Sequence, residues 1–234
     1  MNNKSSIKKT SYLHKPFGEI FNEIAVLLKY LKNSSDFDKR CLNNLICHTT
    51  IRMLEGIVNI IIESTKLNDK LKKNLDKLSL IDKFDLLLFL KSEEKLNLGY
   101  HLVGGVIELI IYRNNSIHPK VIETEIEFYE ESGCVYFKPK KSWSSNEKEL
   151  AIKFLKNAFK FLDYYLIDLC KCDIDFLSTL LLDTVKYSDT EYGILQLKQL
   201  SESKKFIELE LKINIEFLLF LDRPLIKECL NLKI

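Results

Sequence analysis

Apolar residues in the first half of the chain recur every three or four positions, the period of a helix with one buried face. Phe17, Ile20, Phe21, Ile24, Leu27, Leu28 and Leu31 predict a first helix. Pro16 fits its first position, and Asn33-Ser34-Ser35 breaks it. Asp36 opens a longer helix to about Ser64, through Leu42, Leu45, Ile46, Met53, Leu54, Ile57, Val58, Ile61 and Ile62. The lysine-rich stretch 66–77 reads as a linker or a short helix. Ser79 caps the next helix, whose stripe is Leu80, Ile81, Phe84, Leu87, Leu88 and Leu90. Another apolar helix runs from about Leu98 to Ile117. It contains Gly104-Gly105, each about 1 kcal/mol worse than alanine inside a helix. Close packing against another helix accounts for both glycines; a local break is the competing account.

After Pro119 the period changes. Glu125–Tyr129 and Cys134–Phe137 flank Glu131-Ser132-Gly133, the pattern of a β-hairpin at about 124–138. Ser144 and Glu147 form a capping box that starts a helix to about Cys170, through Ile152, Phe154, Leu155, Phe159, Leu162 and Leu166. Asp173 begins a helix over Phe176–Val185. Then Ile207, Leu209, Leu211, Ile213, Ile215 and Phe217 alternate with Glu208, Glu210, Lys212, Asn214 and Glu216, which argues for a strand with Ile194–Leu200 as its partner. Asp222 and Pro224 start a last short helix. The expected fold is mainly α: a bundle of about five helices over 12–172 with the inserted β-hairpin, then a small α+β C-terminal extension over 173–234.

The net charge of +2 supplies no strong overall field, so a nucleic-acid site must be a local patch. The scarcity of glycine (7) and proline (4) fits long helices. Six cysteines show no CxxC pair and no paired histidine spacing, so neither a zinc site nor any other metal or cofactor is expected. The polar N-terminus lacks a signal-peptide core, and the apolar runs fall short of the roughly 18 residues of a membrane span. A cytoplasmic protein with reduced thiols is the expectation. No P-loop, dinucleotide fingerprint, HExxH or GxSxG occurs.

The chemistry concentrates where the Leu98–Ile117 helix ends, at Tyr112-Arg113-Asn114-Asn115-Ser116-Ile117-His118-Pro119. Of 35 Lys+Arg only Arg40, Arg52, Arg113 and Arg223 are arginine, and there are four histidines. An Arg-x4-His would arise by chance roughly 0.07 times in such a chain, taking composition as the prior. Histidine titrates near neutrality, and arginine offers a planar fork of donors to a phosphoryl group. Asn114 and His118 are four apart and can face one groove, while Arg113 points about 100° away.

Arg113-Asn114-x3-His118 at the end of an apolar helix resembles the signature of the HEPN superfamily, Arg-x4–6-His with a polar residue after the arginine. That resemblance implies a metal-independent endoribonuclease, working by 2′-OH attack to leave a 2′,3′-cyclic phosphate. It also implies a homodimer in which Arg113, Asn114 and His118 of both copies share one cleft, and the setting of toxin–antitoxin or anti-phage defence with an antitoxin or regulatory partner. Many relatives lack the enzyme activity, so a module binding a nucleotide, RNA or protein is the alternative. The family often adds an upstream acid, for which Glu108 and Glu55 are candidates.

His48 and Arg52, four apart on the second helix, share a face as a catalytic pair would, although two cations on a helix face are more often a polar stripe. Glu55 is expected to make a local ion pair with Arg52. Trp143 beside Lys140, Lys141 and Tyr136 reads first as an aromatic plug for the hairpin and second as a base-stacking patch. Tyr164-Tyr165 reads as core and boundary packing.

Overall fold

Asp36–Ser64 forms α2, 29 residues long, and the other helices pack around it. Ser35 sets its start: the hydroxyl accepts the Asp38 amide at 3.4 Å, a cap of about 1 kcal/mol. Ile46, Cys47, Ile51, Met53, Leu54, Ile57, Val58, Ile60 and Ile62 are all buried. A helix apolar on so many sides needs cover on each of them. That cover comes from α1 (Phe17–Asn33), α4 (Leu80–Ser92), α5 (His101–Ile117), α6 (Glu147–Asp163) and α7 (Ile174–Leu181), with the short α3 (Asp69–Leu75) at one end. Over Cys41–Ser64, α2 has the length and hydropathy of a membrane-spanning helix, but most of that stretch is buried inside the bundle.

The computed structural model describes residues 14–117, 126–131, 134–139, 147–182 and 190–223. His118, Pro119, Trp143, Ser144 and the helix expected beyond Asp222 lie outside the described residues. Within them the class is mainly α. Pro16 stands one place before the first helical residue rather than in it. Stretch 66–77 contributes α3, capped by Asn68. Ser79 caps α4 and Asp173 caps α7, each accepting an amide three residues on. Ile126–Glu131 (β1) and Cys134–Pro139 (β2) pair antiparallel, with Phe128 opposite Phe137 and Tyr129 opposite Tyr136.

The C-terminal strand and its hairpin partner are not formed: Thr190–Leu211 is a helix, α8, packed on α1. Its buried positions include Leu200, Lys204, Ile207 and Leu211, spaced four, three and four, while Leu209 is 74% exposed. The alternation misled because Leu209 is an apolar residue on the outer face and the period-two stretch runs past the end of α8 at Leu211; one turn earlier, the inward Lys204 pairs with Glu208 (3.4 Å) and Asp222 (2.7 Å). Beyond Leu211 the chain turns at Lys212 and enters a 3-10 helix, Glu216–Asp222. Its Phe217, Leu218, Phe220 and Leu221 belong to the same buried cluster as α1 and α2.

Asp163, the last residue of α6, anchors this segment by accepting the Phe217 amide at 2.8 Å. Burial pushes its carboxyl up to about 7, against backbone hydrogen bonds that lower it. A folded-state pKa above the unfolded value means the contribution is complete below about pH 4 and is lost as the pH rises through 7. Urea denaturation should show wild-type stability declining over that window relative to Asp163→Asn, in which this component is absent.

α5 runs unbroken through Gly104-Gly105. Only Gly105 is a close approach: a Cβ there would run into the Asn157 side-chain amide of α6, which donates to Leu102 O at 2.8 Å, whereas Gly104 faces open space. Gly104→Ala should therefore stabilise by about 0.5–1 kcal/mol through helix propensity. Gly105→Ala should destabilise by about 1–2 kcal/mol, because Asn157 must give up its bond. Paired urea curves would show the opposite signs.

Candidate active site at the junction of two helices

The last turns of α5 lie against one face of α2. Asn44, His48 and Glu55 fall on that face because spacings of four and seven return a helix to nearly the same side. Each meets a residue of α5. Tyr112 Oη donates to Asn44 Oδ1 at 2.8 Å, Ser116 Oγ lies 3.2 Å from His48 Nε2, and Arg113 Nη2 donates to Glu55 Oε1 at 3.3 Å. The sequence-predicted Arg113, His48 and Glu55 thus come together. Asn114 is exposed on the same turn.

Ser116 also bonds to Arg113 O at 2.8 Å. A hydroxyl has one hydrogen, and the shorter contact to an acceptor-only carbonyl assigns it there. His48 Nε2 then donates to Ser116 Oγ, and Nδ1 carries the lone pair. The imidazole titrates below its ordinary value, first because it is partly buried and second because of the Arg113 charge. It is accordingly the neutral, proton-accepting form that stands here at pH 7. Arg113→Gln should raise the His48 pKa, which an NMR titration of the imidazole would register; an unchanged or lower value would mean the two groups do not sense each other.

Arg113 is half-buried and donates through Nη2 to the Glu55 carboxylate, and its Nε is buried without a hydrogen-bond partner among the described residues. An orphaned donor on a charged group costs about 1–3 kcal/mol or more, and such exceptions call for a specific reason. Held this way, the guanidinium keeps its charge beside the imidazole and can stabilise a developing oxyanion.

The other candidates lie elsewhere. Arg52 does not pair with Glu55: its Nη1 reaches both oxygens of Glu23 on α1 (3.1 and 3.0 Å), and Thr49 supports the same carboxylate. A carboxylate on a neighbouring helix prevailed over the one three residues along. His48 and Arg52 therefore serve different partners. Glu108 pairs with Lys153 of α6 at 3.2 Å, on a different side of α5 from Arg113. His118 lies outside the described residues. Among the described residues no group of three or more His, Cys, Asp or Glu is arranged to hold a metal ion.

Three participants were missed. Ser116 stood inside the motif without a role, although it is three residues after Arg113 and so can reach its carbonyl. Asn44 and Tyr112 carried no signal linking them. Sequence reading also passed over a groove of about 690 Å³ between α5 and α6, lined by His101, Asn157, Lys153, Lys156 and Lys160. Three lysines spaced three and four apart were its sequence trace. His101 lies twelve residues, about 18 Å, along α5 from Arg113. No family model, curated protein or solved structure matches this chain.

Proposed function

We propose that this chain is a metal-independent endoribonuclease of the HEPN type, cutting RNA by attack of a ribose 2′-OH on the adjacent phosphorus. The observation that carries the reading is the convergence of the Arg113 guanidinium and the His48 imidazole at the end of α5 that leads, five residues on, to His118. Two histidines suit the two proton transfers. One removes the 2′-OH proton as the O2′–P bond forms; the other delivers a proton to the departing 5′ oxygen as the P–O5′ bond breaks. A neutral His48 suits the first task, with His118 for the second. Arg113 stabilises charge on the phosphoryl oxygens, and Asn114 orients the phosphate.

In the full reading two copies meet at this junction and share one cleft built from Arg113, Asn114 and His118 of each. Leu45 (50% exposed), Ile111 (55%) and Ile117 (44%) on the same two helices offer apolar surface for such a contact. The lysine groove supplies phosphate contacts for RNA running along α5. The setting we infer is cytoplasmic toxin–antitoxin or anti-phage defence, with an antitoxin as partner. The Arg113–Glu55 ion pair favours a second reading, in which the arginine is structural and the chain is a non-catalytic HEPN module.

Wild type and His118→Ala, each incubated with total RNA in EDTA, distinguish the two. Cleavage by wild type alone, leaving 2′,3′-cyclic phosphate ends, is the expected result. Equal inertness supports the binding module, and cleavage persisting in the variant removes His118 from the mechanism.

A further inference from the structure

The irregular chain after α6 builds a second site, independent of the RNA reading. Tyr164–Leu169 is a π-helical turn, closed by Cys170 N on Tyr165 O at 2.8 Å. Such turns are rare and are frequently found at functional sites. Lys171 follows with φ 49°, a left-handed conformation that side chains resist. Together these set Cys170 and Cys172 against α4 and α7, on the wall of a cavity of about 320 Å³. Ile61, Leu87, Leu90, Leu166, Phe176 and Leu180 make the cavity apolar. Lys91 Nζ lies 3.4 Å from Cys172 Sγ and 5.7 Å from the Phe176 ring centroid, so an ammonium and a thiol meet at the rim.

The groups facing Cys172 are the Cys170 thiol, Lys91 from α4, the Tyr165 phenol of the π-helical turn and the neighbouring Asp173. The Cys170 hydrogen bond first, then Lys91, hold the Cys172 thiol below its ordinary value, against burial and the Asp173 charge. The Cys170 thiol is correspondingly raised. A thiolate at an apolar cavity with a proton donor in contact is a nucleophile suited to an electrophile with an apolar tail.

We propose that Cys172 captures apolar α,β-unsaturated carbonyl compounds, with the tail in the cavity and Lys91 as proton donor. The sulfur lone pair forms an S–C bond at the β-carbon, and the C=C π pair moves through the enolate to the α-carbon. One proton passes there from the Lys91 ammonium, which regains it from solvent. The product is a thioether aldehyde or ketone, with no oxidant required. Acyl transfer from a thioester is disfavoured, because the tetrahedral oxyanion would need further donors. The other hydroxyls of the lining, on Thr65 and Tyr165, donate to Ile62 O and Phe84 O.

A lowered thiol in contact with the Lys91 ammonium at the rim of an apolar cavity should outpace a free thiol at pH 6. The test treats the full chain with trans-2-nonenal or propenal at pH 6, traps adducts with borohydride and maps them by peptide mass spectrometry. N-acetylcysteine serves as the free-thiol reference. Cys172 should react faster than the reference with nonenal. Its nonenal-to-propenal rate ratio should exceed that of the reference, and Lys91→Gln should slow it and move its pH dependence upward. Exposed Cys41 labelled as fast as Cys172, or a rate ratio equal to the free thiol's, would overturn the proposal using wild type alone.

Discussion

Arg113→Lys should slow RNA cleavage by about a hundredfold while leaving the urea midpoint close to that of wild type. Lysine keeps the positive charge and can still reach Glu55, whose carboxylate is the arginine's side-chain partner among the described residues, at 3.3 Å. It loses the rigid fork. A single ammonium cannot hold a carboxylate and present oriented donors to a phosphoryl oxygen at once. Removing one preorganised donor from a developing oxyanion typically lowers the rate by about a hundred- to a thousandfold. Arg113→Ala should fall at the upper end of that range, since the charge goes as well. The assay is single-turnover cleavage of a labelled RNA in EDTA. Full activity in Arg113→Lys would reduce the arginine to a structural cation and remove the reason for its choice in a chain otherwise rich in lysine.

Phe84→Ala should destabilise the fold by about 3–5 kcal/mol, the range for deleting a buried aromatic side chain. Phe84 is fully buried, with edge contacts to Phe161 at 5.0 Å and Tyr165 at 4.7 Å between ring centroids. Tyr165 also donates to the Phe84 carbonyl at 2.8 Å. One ring therefore ties α4 to both α6 and the π-helical turn, and its neighbours cannot close over the void while that hydrogen bond holds the backbone in place. Domains of this size carry about 5–15 kcal/mol in total, so the variant would lose much of its margin. A loss under about 1.5 kcal/mol in urea denaturation would show that the core around the turn is loosely packed.

Which parts of this molecule could be read from its residues follows from where tertiary contacts act. α1, α2 and α4 declared themselves because most of their inward positions are apolar, Lys83 and Asn43 being among the buried exceptions, and because Ser35 and Ser79 cap α2 and α4. α8 did not, because Lys204 and Ser201 stand among its buried positions while Leu209 points outward. Periodicity sees side-chain type, and a lysine held by Asp222 reads as solvent-facing until the partner is known. The π-helical turn was hidden for a related reason: nothing in Tyr164–Leu169 departs locally from an ordinary apolar helix.

The candidate site divides in the same way. Arg113 stood out because arginine and histidine are scarce here. His48 and Glu55 were legible as polar residues on α2, yet their partners were not, since helix spacing offered Arg52 and the fold supplied Arg113. Ser116 needed the neighbouring helix in place before its bridge between the Arg113 carbonyl and the His48 imidazole acquired a meaning.

Subunit mixing tests the shared cleft most directly. Wild type is combined in equal amounts with the double variant Arg113→Ala/His118→Ala, subunits are allowed to exchange, and RNA cleavage in EDTA is measured. If each cleft needs the motif from two copies, only wild-type pairs cut, and activity settles at about a quarter of the undiluted value at equal total protein. Activity of about a half, tracking the wild-type fraction in direct proportion, would mean that each chain acts alone and would contradict the account.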